Sequence, residues 1–553
     1  MTAQTDPRES LWVRILLVLL AAGALVPIWV APVPPLQDLP NHLLKVDIFQ
    51  RWMRGEKWVR EIYSLNLRLL ANYTLYAAIL VLSPLFSLLT AARLFLSMIV
   101  VGLPLSAYAF LRRVNPENTL FALAVPAINF NLFLMQGNLN FCLALALYLA
   151  ALAIFEAESG PAWLHGWGFA ATSTALYFTH GFVFLVLAGT VAFLVAVNFR
   201  SERLLRACGL LPGLLCLATT FAATLRSGSE ATGAFRPYFT VARLHSMRAA
   251  LIWLLNPHGW GYDTYFALAW LGVVGACGLA ALVGAVGRLR DRKDLREVLQ
   301  ENPWLIFAIL LIVAYFCAPV QLRDWYHVRA RLSPLAVLVL LGALRAPRKQ
   351  ALRASLVVVL VLAALAIEVR NTQEFLKRGR QVQEYLSGTD TVEEGAAMVP
   401  VENPEEGPKY RDVLHAWAYY AIARGGWSPY LHAQPSYNPV IYKVTPWGPG
   451  EGSPLGAEDT LRRMFACYDY VLLWNPKETD ATALRPFFVL VRATPHLGIW
   501  RNRTGVRRST PASNPACALE ADTTGDSSHR PMPISACMPP SPFVESVEPI
   551  PHP

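Results

Sequence analysis

Long apolar runs, separated by short polar or basic segments, occupy most of the first 370 residues of the chain. A helix that crosses a bilayer needs about 20 apolar residues. Runs near this length predict spanning helices at residues 12–31, 92–111, 118–135, 139–156, 163–179, 181–198, 204–224, 263–287, 303–320, 330–345 and 351–369. The run 73–90 is also apolar but contains Pro84, so its own pattern does not decide whether it crosses.

Clusters of arginine and lysine between the apolar runs indicate the orientation of the chain. Cytoplasmic loops of membrane proteins carry an excess of these residues. If the N-terminus is cytoplasmic and 73–90 is a re-entrant or interfacial helix, four clusters lie inside, at 112–113, 200–206, 288–296 and 345–353. A full crossing by 73–90 would move all of them outside. We therefore predict an all-α polytopic membrane protein with about eleven transmembrane helices and one re-entrant or interfacial helix.

This orientation puts nearly all the chemically useful polar residues on the extracytoplasmic side. The first outer loop covers residues 32–72, and further outer segments surround 136–138, 180, 225–262 and 321–331. Everything after about residue 370 also lies outside. The first apolar run has the features of an uncleaved signal-anchor. The predicted location is the inner membrane of a bacterium, with the active face outside the cytoplasm.

The pattern changes after about residue 390. Short β-like runs (397–401, 439–443, 470–474 and 487–491) alternate with helical stretches at 411–423 and 457–466, and Gly425 would end the first of these helices. We expect a transmembrane domain at 1–370 and a small extracytoplasmic α/β domain at 371–503. The remainder, 504–553, is rich in Pro and Ser and is expected to be disordered.

Composition agrees with a membrane protein and argues against a nucleic-acid partner. The chain is 54% apolar and only 16% charged, whereas ordinary soluble domains carry about 25% charged residues. A formal net charge of +10 could suggest nucleic acid. However, the basic residues lie in short clusters between hydrophobic runs, and no basic-aromatic recognition module is visible.

Cysteine usage and known sequence motifs add no further chemistry. The eight cysteines include no CxxC pair, so we expect neither a disulfide framework nor a cysteine metal site. No Walker loop, GxSxG, HExxH or dinucleotide fingerprint occurs in a credible context. No cofactor is therefore expected from these residues.

An acidic residue follows the first apolar run, in the sequence APVPPLQDLPNH, which ends with Asp38, Asn41 and His42. Apolar residues within Leu39–Arg54 recur at helical spacing, which predicts a helix on the membrane surface with Lys45, Arg51 and Arg54 towards the headgroups. Asp38 could cap this helix. A carboxylate at the interface is also partly desolvated and suits general-base chemistry, and both readings remain open.

This arrangement resembles the GT-C superfamily of membrane glycosyltransferases, which includes the protein mannosyltransferases and the aminoarabinose transferases. The shared features are a long first span, a Pro-rich approach to an acid, an amphipathic surface helix and an ambiguous apolar run, over roughly residues 10–370. The resemblance implies a polyprenyl-phosphate sugar donor and a catalytic or acceptor-positioning role for Asp38. The chain lacks the adjacent Asp-Glu pair of that pattern, so its residues do not support the divalent metal that the resemblance allows.

Other polar residues at the outer face are candidate substrate contacts. Asn41 and His42, next to Asp38, could contact a sugar hydroxyl or phosphate. Gln136 and Asn138 lie at a turn between two spans, where amides usually cap helices but could also bind sugar hydroxyls. His180 occupies another outer turn, and helix capping would explain it.

The stretch Arg323–Arg331 carries three arginines on the outer side, against the orientation rule. A lipid phosphate bound by guanidinium groups would offset this, whereas snorkelling to the headgroups and pairing with Asp324 would explain it without a ligand. Arg329 and Arg331 are two residues apart, so on a helix their side chains diverge. The candidate substrate contacts in this stretch are Arg323, Tyr326, His327, Arg329 and Arg331.

These features favour an integral membrane glycosyltransferase that moves a sugar from a polyprenyl-phosphate donor to an extracytoplasmic glycan, lipid or protein. Asp38 is the expected general base, His42 the second catalytic candidate, and Arg329 or Arg331 the expected phosphate ligand. A transporter or flippase of lipid-linked sugars is the first alternative, although polar residues gathered at one face and the lack of a clear internal repeat argue against it. A non-enzymatic envelope-assembly protein, with 390–503 as its binding module, is the second.

Overall fold

A computed structural model describes residues 7–158, 162–226, 241–290, 294–319, 327–403, 411–431, 433, 438–449, 455, 457–505 and 510–519. The α-helices are α1 (Pro7–Gly23), α2 (Val26–Val30), α3 (Leu39–Arg54), α4 (Lys57–Ile62), α5 (Thr74–Leu82), α6 (Leu88–Val114), α7 (Leu132–Met135), α8 (Leu139–Phe155), α9 (Ala162–Thr179), α10 (Gly181–Val197), α11 (Ser201–Ala207), α12 (Leu211–Arg226), α13 (Val241–Leu255), α14 (Tyr262–Arg290), α15 (Leu295–Glu301), α16 (Pro303–Cys317), α17 (Val328–Leu341), α18 (Gln350–Leu386), α19 (Trp417–Arg424), α20 (Glu458–Cys467) and α21 (Glu478–Leu484). The strands are β1 (Tyr63–Leu65), β2 (Met398–Glu402), β3 (Val440–Tyr442), β4 (Tyr470–Trp474), β5 (Phe488–Ala493) and β6 (Leu497–Asn502).

The membrane part is a bundle of apolar helices. In the described part of the chain, 6 helical stretches are long and apolar enough to cross a bilayer: Leu11–Val30, Leu88–Val114, Pro116–Met135, Ser201–Thr220, Tyr262–Arg290 and Gln350–Thr391. The helices α8, α10 and α16 are apolar but shorter. Large apolar side chains on α14, among them Leu279 and Val283, are exposed, as expected for a surface covered by lipid. The count of eleven crossings stays a prediction.

The ambiguous run 73–90 is broken in the structure. Its helix, α5, has only 9 residues, about 14 Å at 1.5 Å per residue, less than half of the apolar thickness of a bilayer. The chain then turns, and the Ser87 side chain accepts a hydrogen bond from the Thr90 N–H at the start of α6. This run is therefore too short to cross as one helix, which supports the re-entrant or interfacial reading.

The C-terminal unit, defined as β2–β6 with α19–α21 and their connections, contains a four-stranded sheet in the order β2-β4-β6-β5. The pair β2–β4 is parallel, and the pairs β4–β6 and β5–β6 are antiparallel. Each β-like run of the sequence overlaps a strand, although β2 and β5 extend beyond their runs. Helix α19 ends at Gly425, which has a φ of 68°. The sequence patterns did not reveal β6, α21 or β1.

The first outer loop belongs to the core of the C-terminal unit. Strand β1 pairs with β3, with Tyr63 opposite Tyr442. Apolar residues of α3 and α4, including Ile48 and Val59, pack into the same cluster as the sheet. Helix α3 has the predicted bounds, but its predicted surroundings are wrong for Lys45. That side chain is buried, and its Nζ donates to Asn438 Oδ1 at 2.7 Å, so protein groups replace the expected lipid headgroups.

The boundary predicted between the two domains, at residue 370, lies inside a helix, because α18 continues through that residue without a break. Residues 510–519, assigned to the disordered tail, pack on the C-terminal unit, where the Trp447 N–H donates to the Cys517 carbonyl at 2.8 Å. The expectation of no disulfide is wrong, because Cys467 and Cys517 are bonded. Their separation of 50 residues leaves no local sequence signal. Residues 520–553 lie outside the described residues.

We expect Cys467→Ser to lower the unfolding free energy of the C-terminal unit by about 4 kcal/mol, because the bond closes a loop of 50 residues. Thermal unfolding of the purified protein in detergent, followed by limited proteolysis, measures this change. Cys208→Ser is the matched control, since Cys208 is a free, exposed cysteine. Equal melting of the two variants would contradict a stabilising role for the bond.

Candidate active site

Asp38 occupies the N-cap position of α3, but its side chain makes no capping hydrogen bond. Its Oδ1 instead accepts a hydrogen bond from Gln37 Nε2 at 3.4 Å and lies 3.4 Å from Nε2 of His415. The Asp38 side chain is 23% exposed. Of the two roles that the sequence left open, side-chain capping is therefore not the one that Asp38 performs here.

Several ionisable groups face the Asp38 carboxylate from different elements. Those that interact with its charge are His42 and Lys45 on α3, Tyr76 on α5, and His327 just before α17. They also contact each other: Tyr76 Oη lies 2.8 Å from His42 Nδ1 and 3.4 Å from Lys45 Nζ. The carboxylate thus borders a hydrogen-bonded cluster built from three parts of the membrane domain.

Burial sets the protonation of this cluster. Burial first, and then the nearby charge of Lys45, lowers the pKa of His42 to about 3. Burial also lowers the pKa of Lys45 to about 7, opposed by attraction to Asp38. The pKa of Tyr76 is raised, first by burial and then by the Asp38 charge. Near pH 7, His42 is therefore a neutral imidazole, suited to hydrogen bonding rather than to charge pairing.

The turn between α7 and α8 packs directly on Asp38. Gly137 has a φ of 86°, and a Cβ added there would lie 2.8 Å from the Cβ of Asp38, so only glycine fits. The neighbouring Asn138 accepts a hydrogen bond from Arg331 Nη2 at 3.4 Å and donates to Gln136 Oε1 at 3.4 Å. This turn therefore joins the carboxylate on one side to a guanidinium on the other.

The two arginines of α17 diverge, as the helix geometry predicts. Arg331 reaches Asn138, and its guanidinium carbon lies 5.5 Å from the ring centre of Phe141. Arg329 turns away and donates to Ser246 Oγ at 3.1 Å. His327, with a φ of 55°, interacts with the charges of both Arg331 and Asp38. Its pKa is lowered to about 4, first by burial and then by Arg331.

The remaining predicted residues have mixed positions. His180 caps α10, because its Nδ1 accepts from the Val183 N–H at 3.4 Å, as the capping alternative expects. Its ring also packs against Phe141, beside Arg331. Asn41 is buried in the first turn of α3. Arg323 and Tyr326 lie outside the described residues.

Sequence reasoning missed several members of this site. One signal was available: Asp38, His42 and Lys45 are spaced four and three residues apart, which puts them on one helix face. His415 and Asn438 come from the C-terminal unit, and no local pattern links them to α3. Among the described residues, no group of three or more His, Cys, Asp or Glu side chains is arranged to hold a metal ion.

A cavity of about 730 Å³ lies between α13 and α14. Its walls are mostly apolar, with contributions from Leu251, Trp253 and Leu271, and the basic residues His245 and Arg248 also line it. Ser246, the partner of Arg329, lies on the same helix. The cavity therefore borders α13, the helix whose Ser246 contacts Arg329 of α17.

Solved structures of one protein align with most of this chain. ArnT from Cupriavidus metallidurans bound to undecaprenyl phosphate aligns with a TM-score of 0.50 and 13% identity, over 88% of this chain and 97% of that chain. Its apo state aligns with a TM-score of 0.52 and 12% identity, over 89% and 98%. ArnT is a GT-C glycosyltransferase. The chain shares the fold of ArnT.

A structure of the arabinofuranosyltransferase AftD from Mycobacteria aligns with 12% identity and a TM-score of 0.47, over 92% of this chain and 42% of that chain. No protein-family model and no curated protein sequence matches the chain. At 13% and 12% identity, the likeness to ArnT shows a shared fold alone, and the residues of the site carry the functional argument.

Proposed function

We propose that the chain is an integral membrane glycosyltransferase that transfers a sugar from a polyprenyl-phosphate donor to an extracytoplasmic acceptor. The observation that supports this most directly is that Asp38 and Arg331 both contact the turn at Gly137 and Asn138, Asp38 at Gly137 and Arg331 at Asn138. A carboxylate that accepts a proton and a guanidinium that binds phosphate are the two groups that such a transfer needs.

In the proposed reaction, Asp38 accepts the proton of the acceptor hydroxyl. The acceptor oxygen then attacks the anomeric carbon, and the bond from that carbon to the phosphate oxygen breaks with inversion. The bonding electrons leave with the polyprenyl phosphate, whose negative charge grows in the transition state. Arg331 stabilises this charge, while neutral His42 and the amide of Asn138 orient the sugar.

The class of donor is supported by two further observations. The cavity between α13 and α14 has apolar walls and a volume of about 730 Å³, which suits part of a prenyl chain. ArnT, which has a similar fold, was crystallised with undecaprenyl phosphate. A lipid phosphate in the outer leaflet would thus have an apolar surface for its chain beside the basic residues of α13.

The proposed side of the membrane rests on charge and on the disulfide. The basic clusters favour a cytoplasmic N-terminus, which puts Asp38 and the C-terminal unit outside. Disulfides persist in oxidising compartments such as the bacterial periplasm, and the bond between Cys467 and Cys517 agrees with that location. We therefore propose an inner-membrane enzyme with an extracytoplasmic domain beyond the spanning helices.

A reconstituted transfer assay tests this function. Proteoliposomes containing the purified protein are given polyprenyl-phosphate donors with labelled sugars and a panel of envelope lipids, glycans and peptides. We expect labelled product and stoichiometric polyprenyl phosphate, both dependent on the protein. An intact donor across the panel would contradict the proposal, and protein-dependent movement of intact donor between leaflets would support the flippase alternative instead.

A further inference from the structure

One short segment of the C-terminal unit, residues 411–415, reaches Asp38 by two routes. His415 contacts the carboxylate directly, with Nε2 3.4 Å from Asp38 Oδ1. The backbone N–H of Arg411 donates to Gln37 Oε1 at 2.9 Å, and Gln37 Nε2 in turn donates to Asp38 Oδ1 at 3.4 Å. Both of these contacts to the carboxylate therefore depend on where this segment lies.

Ion pairs hold the segment in place. Asp412 Oδ2 lies 2.9 Å from Nη1 of Arg378 on α18, and Arg378 Nε also pairs with Glu374 at 3.1 Å. On the other side, Arg411 Nη2 lies 3.1 Å from Glu402 Oε2 at the end of β2. These pairs are largely buried, and removing one partner of a buried ion pair strongly destabilises the folded protein, because the other charge is left without a partner. The segment is thus fixed between a membrane helix and the sheet.

The chemistry of His415 fits a role directed at Asp38. The imidazole side chain is only 8% exposed. An ionised carboxylate can only accept hydrogen bonds, so the proton must sit on Nε2, and Nδ1 is left as an acceptor. Within the described residues, Nδ1 of His415 is buried without a hydrogen-bond partner. A buried polar atom without a partner is costly, and the polar contact of this ring that the described residues show is that of Nε2 with Asp38.

We infer that His415 is a positioning residue for Asp38, through which the C-terminal unit completes the active site. Its N–H donates to Oδ1, orients the carboxylate and stabilises its ionised form, so that Asp38 is ready to accept the acceptor's proton. This inference rests on the proposed transfer function. It gives the C-terminal unit a direct part in the reaction, rather than the role of a separate binding module.

Two amide substitutions separate this role from a general packing role. In His415→Gln the amide nitrogen lies as far from the backbone as Nε2 of histidine and can still donate to Asp38. In His415→Asn the side chain is one methylene shorter, so its amide nitrogen does not reach Asp38. We expect kcat to fall about 100-fold in His415→Asn and His415→Ala, with the donor KM unchanged, and His415→Gln to recover much of the rate. The acidic limb of the pH–rate profile should move to higher pH in the two slow variants, because the ionised carboxylate loses a donor.

His496→Ala is the matched control, because His496 is another histidine of the C-terminal unit that pairs with a carboxylate: its Nδ1 lies 3.0 Å from Oε2 of Glu384 on α18. We expect this variant to keep the wild-type rate. Thermal unfolding of each variant in detergent reports its folding, and if His415→Ala does not fold, the comparison of His415→Gln with His415→Asn decides. Equal rates for those two amides would overturn the inference.

A double substitution tests whether His415 acts through Asp38. We expect Asp38→Asn/His415→Ala to be no slower than Asp38→Asn alone, because the positioned group is already absent. A further loss in the double variant would overturn the inference. If Asp38→Asn is inactive while His415→Ala transfers sugar as fast as His496→Ala, then the positioning role of His415 is wrong and the proposed function stands. If Asp38→Asn transfers sugar at the wild-type rate, the proposed function loses its base.

Discussion

Asp38→Asn is expected to lower kcat for sugar transfer by about 10³-fold, within the usual contribution of a general base. Asparagine has nearly the same size, and its amide oxygen can still accept from Gln37 and His415, the two donors near Oδ1. What it loses is the capacity to accept a proton. The measurement is the rate of polyprenyl phosphate release in proteoliposomes with a saturating donor and acceptor.

Asp390→Asn is the control for this experiment. Asp390 is a surface carboxylate of which 74% of the side chain is exposed, and it pairs with Arg492 of β5. We expect its loss to leave kcat unchanged. Asp38→Glu keeps a carboxylate but displaces it by one methylene, so its rate should fall between those of the wild type and Asp38→Asn. A folded Asp38→Asn protein that transfers sugar at the full rate would remove Asp38 as the base.

Features with a local cause could be predicted from the sequence. Helix α3 has the predicted bounds because a proline-containing first turn begins it and Gly55, with a φ of 85°, ends it. Strand β4 also has the predicted bounds, since a continuous apolar run of five residues is typical of a buried strand. The neighbourhood of Asp38, Asn138 and His327 was suggested by topology, because all three residues lie at the outer ends of predicted spans.

Features that depend on distant pairings could not be predicted. The sequence alone assigned Lys45 to lipid headgroups because a polar helix face looks the same whether lipid or protein covers it. Its partner Asn438 belongs to the C-terminal unit, as does His415. Strand β1 has only three residues and exists because β3 pairs with it. Such contacts are set by how the C-terminal unit docks, for which the chain carries no local signal.

The positions of Arg329 and Arg331 could be predicted only in part. Helix geometry predicts that their side chains diverge, but not which of them faces Asp38. The structure turns Arg329 towards Ser246 and Arg331 towards Asn138. Arg331 is therefore the residue that we assign to the donor phosphate, and the two arginines form a matched pair for testing that assignment.

Arg331→Gln is expected to lower kcat/KM for the lipid donor by about 10²- to 10³-fold, the range found when a group that stabilises transition-state charge is removed. Inhibition by the product, polyprenyl phosphate, should weaken in parallel, because the same guanidinium binds the phosphate before and after transfer. Arg331→Lys keeps the charge but loses the two-pronged geometry, so we expect only partial recovery. Initial rates over a range of donor and product concentrations measure all three effects.

Arg329→Gln separates phosphate binding from the general loss of a buried arginine. Arg329 is 3% exposed, so its replacement should lower thermal stability while the surviving folded protein keeps its affinity for polyprenyl phosphate. The opposite pattern is expected for Arg331→Gln, with a larger loss of product inhibition than of stability. If Arg329→Gln abolished product inhibition and Arg331→Gln did not, the phosphate would lie on the Ser246 side of α17, and Asp38 and the leaving group would no longer share one site as proposed.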